Sequence, residues 1–296
     1  IELRFSTEDS FRSEERDLMN VYLAVDKLGV VNRLGIADTV GVATPRRVYE
    51  LISSLRRLTQ ADIEFHGHND TGCAVANSVA AVQAGATHVQ CTANGYGERA
   101  GNADLFAVVG NLVTKLGMPV LPDGRLGELT RTSHALAEIA NIAPDTHQAY
   151  VGVAAFAHKA GLHASAIKVD PELYNHMDPV DVGNGQRVLV TEMAGRASVE
   201  LKGAELGLDL AGRPDAVSSV VGTVKEREAQ GWSFEAADAS LELLMRAALK
   251  GTGLGDDHGA VLPFTLESYR VLIENRGGEV VSEATVKLVV DGERII

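Results

Sequence analysis

Cysteine is nearly missing from this chain. Cys73 and Cys91 are the only two, too few for a disulfide framework, and their spacing matches no zinc pattern. Reduced, buried thiols in a cytoplasmic protein are the expectation. Positive charge is short as well: 27 Lys and Arg face 40 Asp and Glu, a net charge of −13. That balance disfavours nucleic acid and anionic membrane surfaces as partners. No apolar run approaches the roughly 20 residues that span a bilayer, and nothing reads as a signal peptide. There is no internal repeat beyond the βα units described below and no low-complexity segment. The first residue is not Met, and the chain starts inside a strand-like run and stops without a stop signal. The expectation is a fragment, cut at both ends.

Apolar side chains are plentiful, at 45% of 296 residues, enough for a large core and for more than one average domain. Strand-like runs at 1–6, 33–39, 64–69 and 86–94 alternate with helix-like runs at 14–28, 45–55, 73–84 and 104–116. Pro45 suits a first helical position. Four consecutive βα units imply a parallel sheet. Polar residues gather where the strands end: Glu8 and Asp9, Asp38 and Thr39, His66 and His68, then Asn94 to Asn102. A TIM barrel carries its site at that rim, and a doubly wound sheet does so at its switch point. No Gly-x-Gly-x-x-Gly loop follows the first strand, which weakens the dinucleotide-binding alternative.

The expected architecture is therefore α/β: the last four βα units of a (β/α)8 barrel over residues 1–120, then a helical subdomain over 121–250, then the start of a small α+β domain over 260–296. Within the second part, helices are expected at 126–140, 193–206, 216–230 and 234–250. An exposed connection is expected at 144–151, and a mostly helical apolar run at 153–167, interrupted by Gly161. Residues 251–259 read as a linker. Two strands, 262–274 and 279–291, flank a turn at 275–278.

Chemistry concentrates in Ile63-Glu-Phe-His-Gly-His-Asn69. Residues i and i+2 of a strand share a face, so His66 and His68 project together, and neutral imidazole is a common metal ligand. The plainer reading is two satisfied histidines at a strand end. The next strand leads into Asn94-Gly-Tyr-Gly-Glu-Arg-Ala-Gly-Asn102, whose glycines allow a tight loop. Glu98, Arg99 and Asn102 are presented there. An Asn oxygen suits Mg²⁺ or Mn²⁺, and imidazole broadens the choice toward Mn, Zn or Co. Alone, this stretch is a turn capping a helix, with Glu98 and Arg99 as an ion pair. Glu8 can take part in proton transfer, or belongs to a helix-cap cluster with Thr7, Asp9 and Ser10. Thr39 can hydrogen-bond a substrate carboxylate, or serves as ordinary cap chemistry. His158 and His163 are five apart, not a same-face helix spacing. One of them can act as an acid/base if the segment reaches a barrel mouth; otherwise both are polar residues on a solvated helix.

Four stretches carry a resemblance: Gly35-Ile-Ala-Asp-Thr-Val-Gly41, His66-Gly-His-Asn-Asp-Thr-Gly-Cys73, Gly95-Tyr-Gly-Glu-Arg-Ala-Gly-Asn102 and Phe156-Ala-His-Lys-Ala-Gly-Leu-His163. Together they resemble the acyl-CoA-condensing synthases of the DRE-TIM metallolyase superfamily, whose members include homocitrate, 2-isopropylmalate and citramalate synthases. The resemblance runs essentially the whole chain. It implies an acyltransferase that condenses acetyl-CoA with a 2-oxo acid and hydrolyses the thioester. It implies a divalent metal (Mg²⁺, Mn²⁺ or Zn²⁺) on His66 and His68, supported by Asn102, with a further Asp ligand on a first barrel strand that is absent here. It also implies Glu8 as the catalytic carboxylate, Thr39 and Glu98 in substrate binding, and His163 as an acid/base supplied by the partner subunit of a homodimer.

The 2-oxo acid is signalled two ways. Glu8-Asp9-Ser-Phe-Arg-Ser-Glu14 and Asp38-Thr-Val-Gly-Val-Ala-Thr-Pro45 look like homocitrate synthases. Val169-Asp-Pro-Glu-Leu-Tyr174 and Met193-Ala-Gly-Arg-Ala-Ser198 look like citramalate synthases. Homocitrate synthases tend to carry Tyr five residues after the acid/base histidine, where this chain has Lys168. The strands from 262 resemble the start of the regulatory domain of the isopropylmalate and citramalate enzymes. Pyruvate as substrate and citramalate as product, in branched-chain amino acid biosynthesis, are the expectation, with 2-oxoglutarate to homocitrate or the 2-isopropylmalate reaction as alternatives. A lyase or aldolase on the same barrel, or a non-catalytic piece of a split enzyme, are the competing readings.

Overall fold

The computed structural model describes residues 1–250, 264–290 and 292–296. It divides into two compact units: residues 1–156 with 177–186, and residues 157–176 with 187–296.

The first unit opens with β1 (Arg4–Thr7), α1 (Glu15–Asp26), β2 (Arg33–Asp38), α2 (Pro45–Arg56), β3 (Asp62–Gly67), α3 (Ala74–Gln83), β4 (His88–Gln90) and α4 (Leu105–Leu116). The four strands are parallel and lie in sequence order, as four successive βα units require. The unit is thus α/β with an open sheet, β1 and β4 forming its edges. One sheet face is apolar. Leu34, Ile36, Ile63 and Phe65 are fully buried there with Tyr22, Val48, Leu51, Ile52 and Leu55 of α1 and α2. The helices face the sheet because their apolar residues recur every three to four positions. Thr44 caps α2 by accepting the Arg47 amide, with Pro45 at the first helical position, and Asp104 caps α4 by accepting that of Phe106. The other sheet face is polar. Arg4 and Arg33 pair with the buried Glu64 at 2.5 and 3.4 Å.

Register aligns the strand ends. Ala37 pairs with His66 and Asp38 with Gly67 on β2–β3, and His66 pairs with Gln90 on β3–β4. The C-terminal ends of three strands therefore form one rim. Beyond α4 the unit continues into α5 (Leu129–Ile139). There Phe106, Leu129, Tyr150, Val151, Phe156 and Val182 make a second core.

The second unit holds β5 (Ala157–His158), α6 (Gly161–Val169), β6 (Arg187–Val188), α7 (Arg196–Glu205), α8 (Pro214–Ala229) and α9 (Asp238–Leu249). Its core is formed by Val199, Val217, Val220, Val224, Leu241 and Met245, with Phe234 and others around them. Antiparallel β7 (Phe264–Arg276), β8 (Glu279–Val290) and β9 (Glu293–Ile295) follow, with a register shift between Leu266 and Ser268. Among the described residues no helix is long and apolar enough to cross a membrane.

Several expectations change. Residues 153–167 are not mostly helical: Ala157–His158 pairs with Arg187–Val188 as a short parallel ladder, and the helix begins only at Gly161. Ladder bonding at 157–158 overrides a run whose apolar composition carried no clear period. The 144–151 connection is not wholly exposed, because Tyr150 and Val151 are buried. Gly110 makes that possible; a Cβ there would lie 2.7 Å from the Tyr150 ring. The fourth strand is three residues long, since a 3-10 turn at Ala93–Gly95 ends it. The final helix begins at Asp238, with Phe234 preceding it as a core residue. The expected linker at 251–259 lies outside the described residues, as do the expected strand ends at 262 and 291.

One hydroxyl joins the two layers of the first unit. Tyr22 of α1, fully buried, donates to the Gly35 carbonyl at 2.6 Å and meets Thr7. Burial pushes its phenol up to about 12, so it remains a donor throughout the neutral range. Tyr22→Phe should lower stability by about 0.5–1.5 kcal/mol, the net worth of a hydrogen bond. A urea midpoint equal to that of the wild type would contradict this.

Candidate active site

β3 ends by turning both histidines onto the polar face. Phe65 and Gly67 alternate with them and face the helices; a Cβ on Gly67 would lie 2.8 Å from the Phe65 ring, so that position must be small. His66 Nε2 and His68 Nε2 stand 3.2 Å apart. His66 Nδ1 lies 3.2 Å from the Gln90 carbonyl. A carbonyl only accepts, so Nδ1 carries the proton and Nε2 presents its lone pair. His68 Nδ1 is buried and has no hydrogen-bond partner among the described residues. Burial, His66 and Arg99 hold the His68 imidazole below its ordinary value, which favours its neutral form.

Asn102 reaches the pair across an antiparallel bridge with His68. Its amide Nδ2 lies 3.3 Å from His66 Nε2, and a half-turn about Cβ–Cγ puts Oδ1 there instead. The glycines position it: a Cβ on Gly97 would fall within the Asn102 amide, and one on Gly101 would strike the Gly95 carbonyl. Two nitrogens on one ion, with bonds of about 2.0–2.1 Å, sit at most about 4.2 Å apart. The 3.2 Å pair fits that limit, so His66 and His68, with the Asn102 amide beside them, bring together donor atoms that could share one ion. Among the described residues no third His, Cys, Asp or Glu joins them.

Glu8 and Thr39 meet at the ends of β1 and β2. Thr39 Oγ1 donates to Glu8 Oε2 at 2.9 Å and accepts the Asp9 amide at 2.8 Å. Glu8 is exposed. Glu98 projects outward, its side chain 83% exposed, and is held only at 3.5 Å by Arg99. His163 lies in the second unit on α6, stacked on Tyr174 with ring centroids 4.2 Å apart, with His158 edge-on at 6.2 Å.

Three groups matter more than the sequence indicates. Arg99 has Asp70 as its chief partner, at 2.7 and 3.0 Å, rather than Glu98. That bond holds the Asp70 carboxyl below its usual range. The buried Asp38 carboxylate accepts the amides of Val42 and Ala43 and shapes the turn after β2. Burial nevertheless pushes Asp38 up. Asn94, Ser133, Gln148 and Asp104 form a polar cluster behind the glycine-rich loop. The aspartates sit at turn positions where capping is the ordinary explanation, and only Asp70, two residues past His68, carried a positional hint.

Burial pushes the Asp104 carboxyl up, against hydrogen bonds from Gln148 and the backbone. The native state then holds this proton more tightly than the unfolded chain. The contribution to stability falls as pH rises from the ordinary carboxylate value through the native one, and is level above it. Asp104→Asn keeps the cap and removes the titration. Its stability relative to wild type should improve from about pH 4 to pH 7. Urea midpoints that differ by a constant amount across that range would oppose this.

The HMGL-like family model matches residues 1–140. A second model, described as homocitrate synthase post-HMGL domain-like, matches residues 150–231. The (R)-citramalate synthase of Streptomyces coelicolor is 53% identical over 289 residues, which cover 97% of this chain and 53% of that protein. The (R)-citramalate synthase of Aquifex aeolicus is 39% identical, over 96% of this chain and 53% of that protein. The mitochondrial homocitrate synthase of Schizosaccharomyces pombe is 42% identical over 211 residues, covering 71% of this chain and 50% of that protein. The chain spans about half the length of these relatives.

Proposed function

We propose that this chain, which belongs to the acyl-CoA-condensing synthases of the HMGL-like family, is the part of a citramalate synthase that carries the metal-binding rim. The reaction joins acetyl-CoA to pyruvate, hydrolyses the thioester and serves branched-chain amino acid biosynthesis. The observation that carries this reading is the pair of Nε2 atoms 3.2 Å apart at a strand C-terminal rim, in a chain similar along 97% of its length to a citramalate synthase. The setting is cytoplasmic, supported by two free thiols.

His66, His68 and Asn102 hold a divalent ion, Mg²⁺, Mn²⁺ or Zn²⁺. When bound, the ion supplies Lewis-acid polarisation of the 2-oxo carbonyl. His66 is kept in its ligating tautomer by the Gln90 carbonyl. Thr39 binds the 2-oxo acid carboxylate by turning its hydroxyl from Glu8 to the substrate. Glu8, then relieved of that hydrogen bond, takes part in proton transfer, and its exposure leaves it open to the substrate. Glu98 contributes to substrate binding from the exposed turn. His163 transfers a proton at the acetyl methyl or the new hydroxyl, in the site of the partner subunit of a homodimer, and Tyr174 stacks on its imidazole. Residues 1–120 are the last four βα units of a barrel, 121–250 the helical subdomain, and 260–296 the beginning of a regulatory domain.

A homocitrate synthase is the second reading, favoured by the 42% identity to the S. pombe enzyme. The two separate on substrate. In the active enzyme that contains this chain, kcat/KM should be larger for pyruvate than for 2-oxoglutarate, followed as acetyl-CoA-dependent release of free thiol. A larger value for 2-oxoglutarate would select homocitrate synthase.

The metal centre is checked directly. The His66→Ala, His68→Ala double variant should lose more affinity for Mn²⁺ or Zn²⁺ than the about 10–100-fold that loss of an outer partner costs, and turnover with it. Full metal content in the purified double variant would exclude these ligands.

A further inference from the structure

Resting on the reading above, we propose that Arg99 is a positioning residue that locks three strand-end loops into one rim and thereby sets the orientation of Thr39. Its guanidinium makes three directed bonds. Two go to the Asp70 carboxylate, at 2.7 and 3.0 Å, on the loop after β3. The third goes to the Thr39 carbonyl, at 2.8 Å, at the end of β2. Arg99 itself belongs to the loop after β4. No other side chain described in the first unit bonds to both of the other two loops from the third. The Thr39 backbone fixed in this way carries the hydroxyl that meets Glu8 and the Asp9 amide, so the lock extends to β1.

The backbone is built around this side chain. Arg99 has a left-handed conformation, with φ 55°, which is uncommon for a residue other than glycine. Asp70 packs against Gly41, where a Cβ would lie 2.8 Å from the Asp70 amide and 2.9 Å from its carboxylate. Thr71 donates to the Gly41 carbonyl at 2.6 Å, and the Asn69 amide donates to that of Gly101 at 2.8 Å. Each pair of loops is thus joined directly, and Arg99 spans all three.

Exposure separates this role from a contribution to overall stability. The Arg99 side chain is 41% exposed and Asp70 23%, and pairs so open to solvent contribute little to folding. What three bonds in a fixed fork supply is geometry. Lysine, with a compact charge and no planar fork, does not replace it.

The test begins with a measurement that needs no activity. Hydrogen exchange is compared for wild type, Arg99→Met, Arg99→Lys and Asp70→Asn. All three variants should speed exchange together in segments 38–43, 68–72 and 95–103, by about tenfold or more, with the interior of β2 and β3 and the melting temperature nearly unchanged. Exchange unaltered in those segments, or accelerated throughout the sheet, overturns the proposal. Kinetics then follow in the active enzyme. Arg99→Met should lower kcat/KM for the 2-oxo acid by about 100-fold, the scale of a small misplacement of a binding group, and leave Mn²⁺ affinity within about threefold. In a Thr39→Ala background the same substitution should have much less effect, because residues acting through one another are not additive. Equal effects in both backgrounds overturn the link through Thr39. An inactive wild type would defeat the proposed reaction, and the exchange result would still decide the lock.

Discussion

Parallel register between β2 and β3 is the constraint on which the rim depends. Ala37 lies opposite His66 and Asp38 opposite Gly67. A shift of one residue would turn both histidines toward the helices and drive Ile63 and Phe65 onto the polar face. The apolar face forbids that, since Leu34, Ile36, Ile63 and Phe65 are all fully buried. Packing on one side of the sheet therefore aims the imidazoles on the other. The site inherits its precision from the core, and only the loops beyond the strand ends need polar contacts of their own to hold them.

Those loops are held by satisfied backbone groups. Asp38 takes the amides of Val42 and Ala43, and its carbonyl takes the His68 amide at 3.2 Å. The Asn69 side chain accepts the Ala74 amide at the start of α3. Behind the glycine-rich turn, Asn94 accepts from Ser133 and Gln148, while Gln148 also donates to Asp104. Such networks hold their geometry best when fully bonded. Glycine is required where the chain passes closest: between Gly101 and the Gly95 carbonyl, a side chain has no room.

The strand and histidine pattern was legible because alternation at period two is a local signal. Ile63, Phe65 and Gly67 face one way, and Glu64, His66 and His68 the other. Asn102 was legible through the glycines that surround it. Arg99 with Asp70 was not: the partners are separated by 29 residues, while Glu98 is adjacent in sequence. Left-handed φ at Arg99 turns the side chain toward Asp70, and no residue pattern encodes that turn. The short β5 escaped for a related reason. Two residues of ladder have no periodicity, and their partner Arg187–Val188 lies beyond α6 and two 3-10 turns. His163 was legible as a residue but not as part of an aromatic stack, since Tyr174 approaches it only through the turn at Pro171–Leu173.

The polar face of the sheet also explains a glycine in mid-strand. Glycine inside a strand weakens it and often marks a close approach. Gly35 on β2 pairs with Ser6 on one side and Glu64 on the other. A Cβ there would stand 2.8 Å from Ser6 Oγ and 3.3 Å from Arg4 Nε. Arg4 of β1 therefore crosses over β2 at Gly35 to reach Glu64 of β3, with Gln90 of β4 within 3.3 Å. A buried carboxylate without a cation is strongly disfavoured, so filling Gly35 would leave Glu64 dependent on Arg33 alone, at 3.4 Å. Glu64 lies two residues before His66 on the same face. The missing side chain at Gly35 thus lets one ion pair tie three strands together directly beneath His66 and His68.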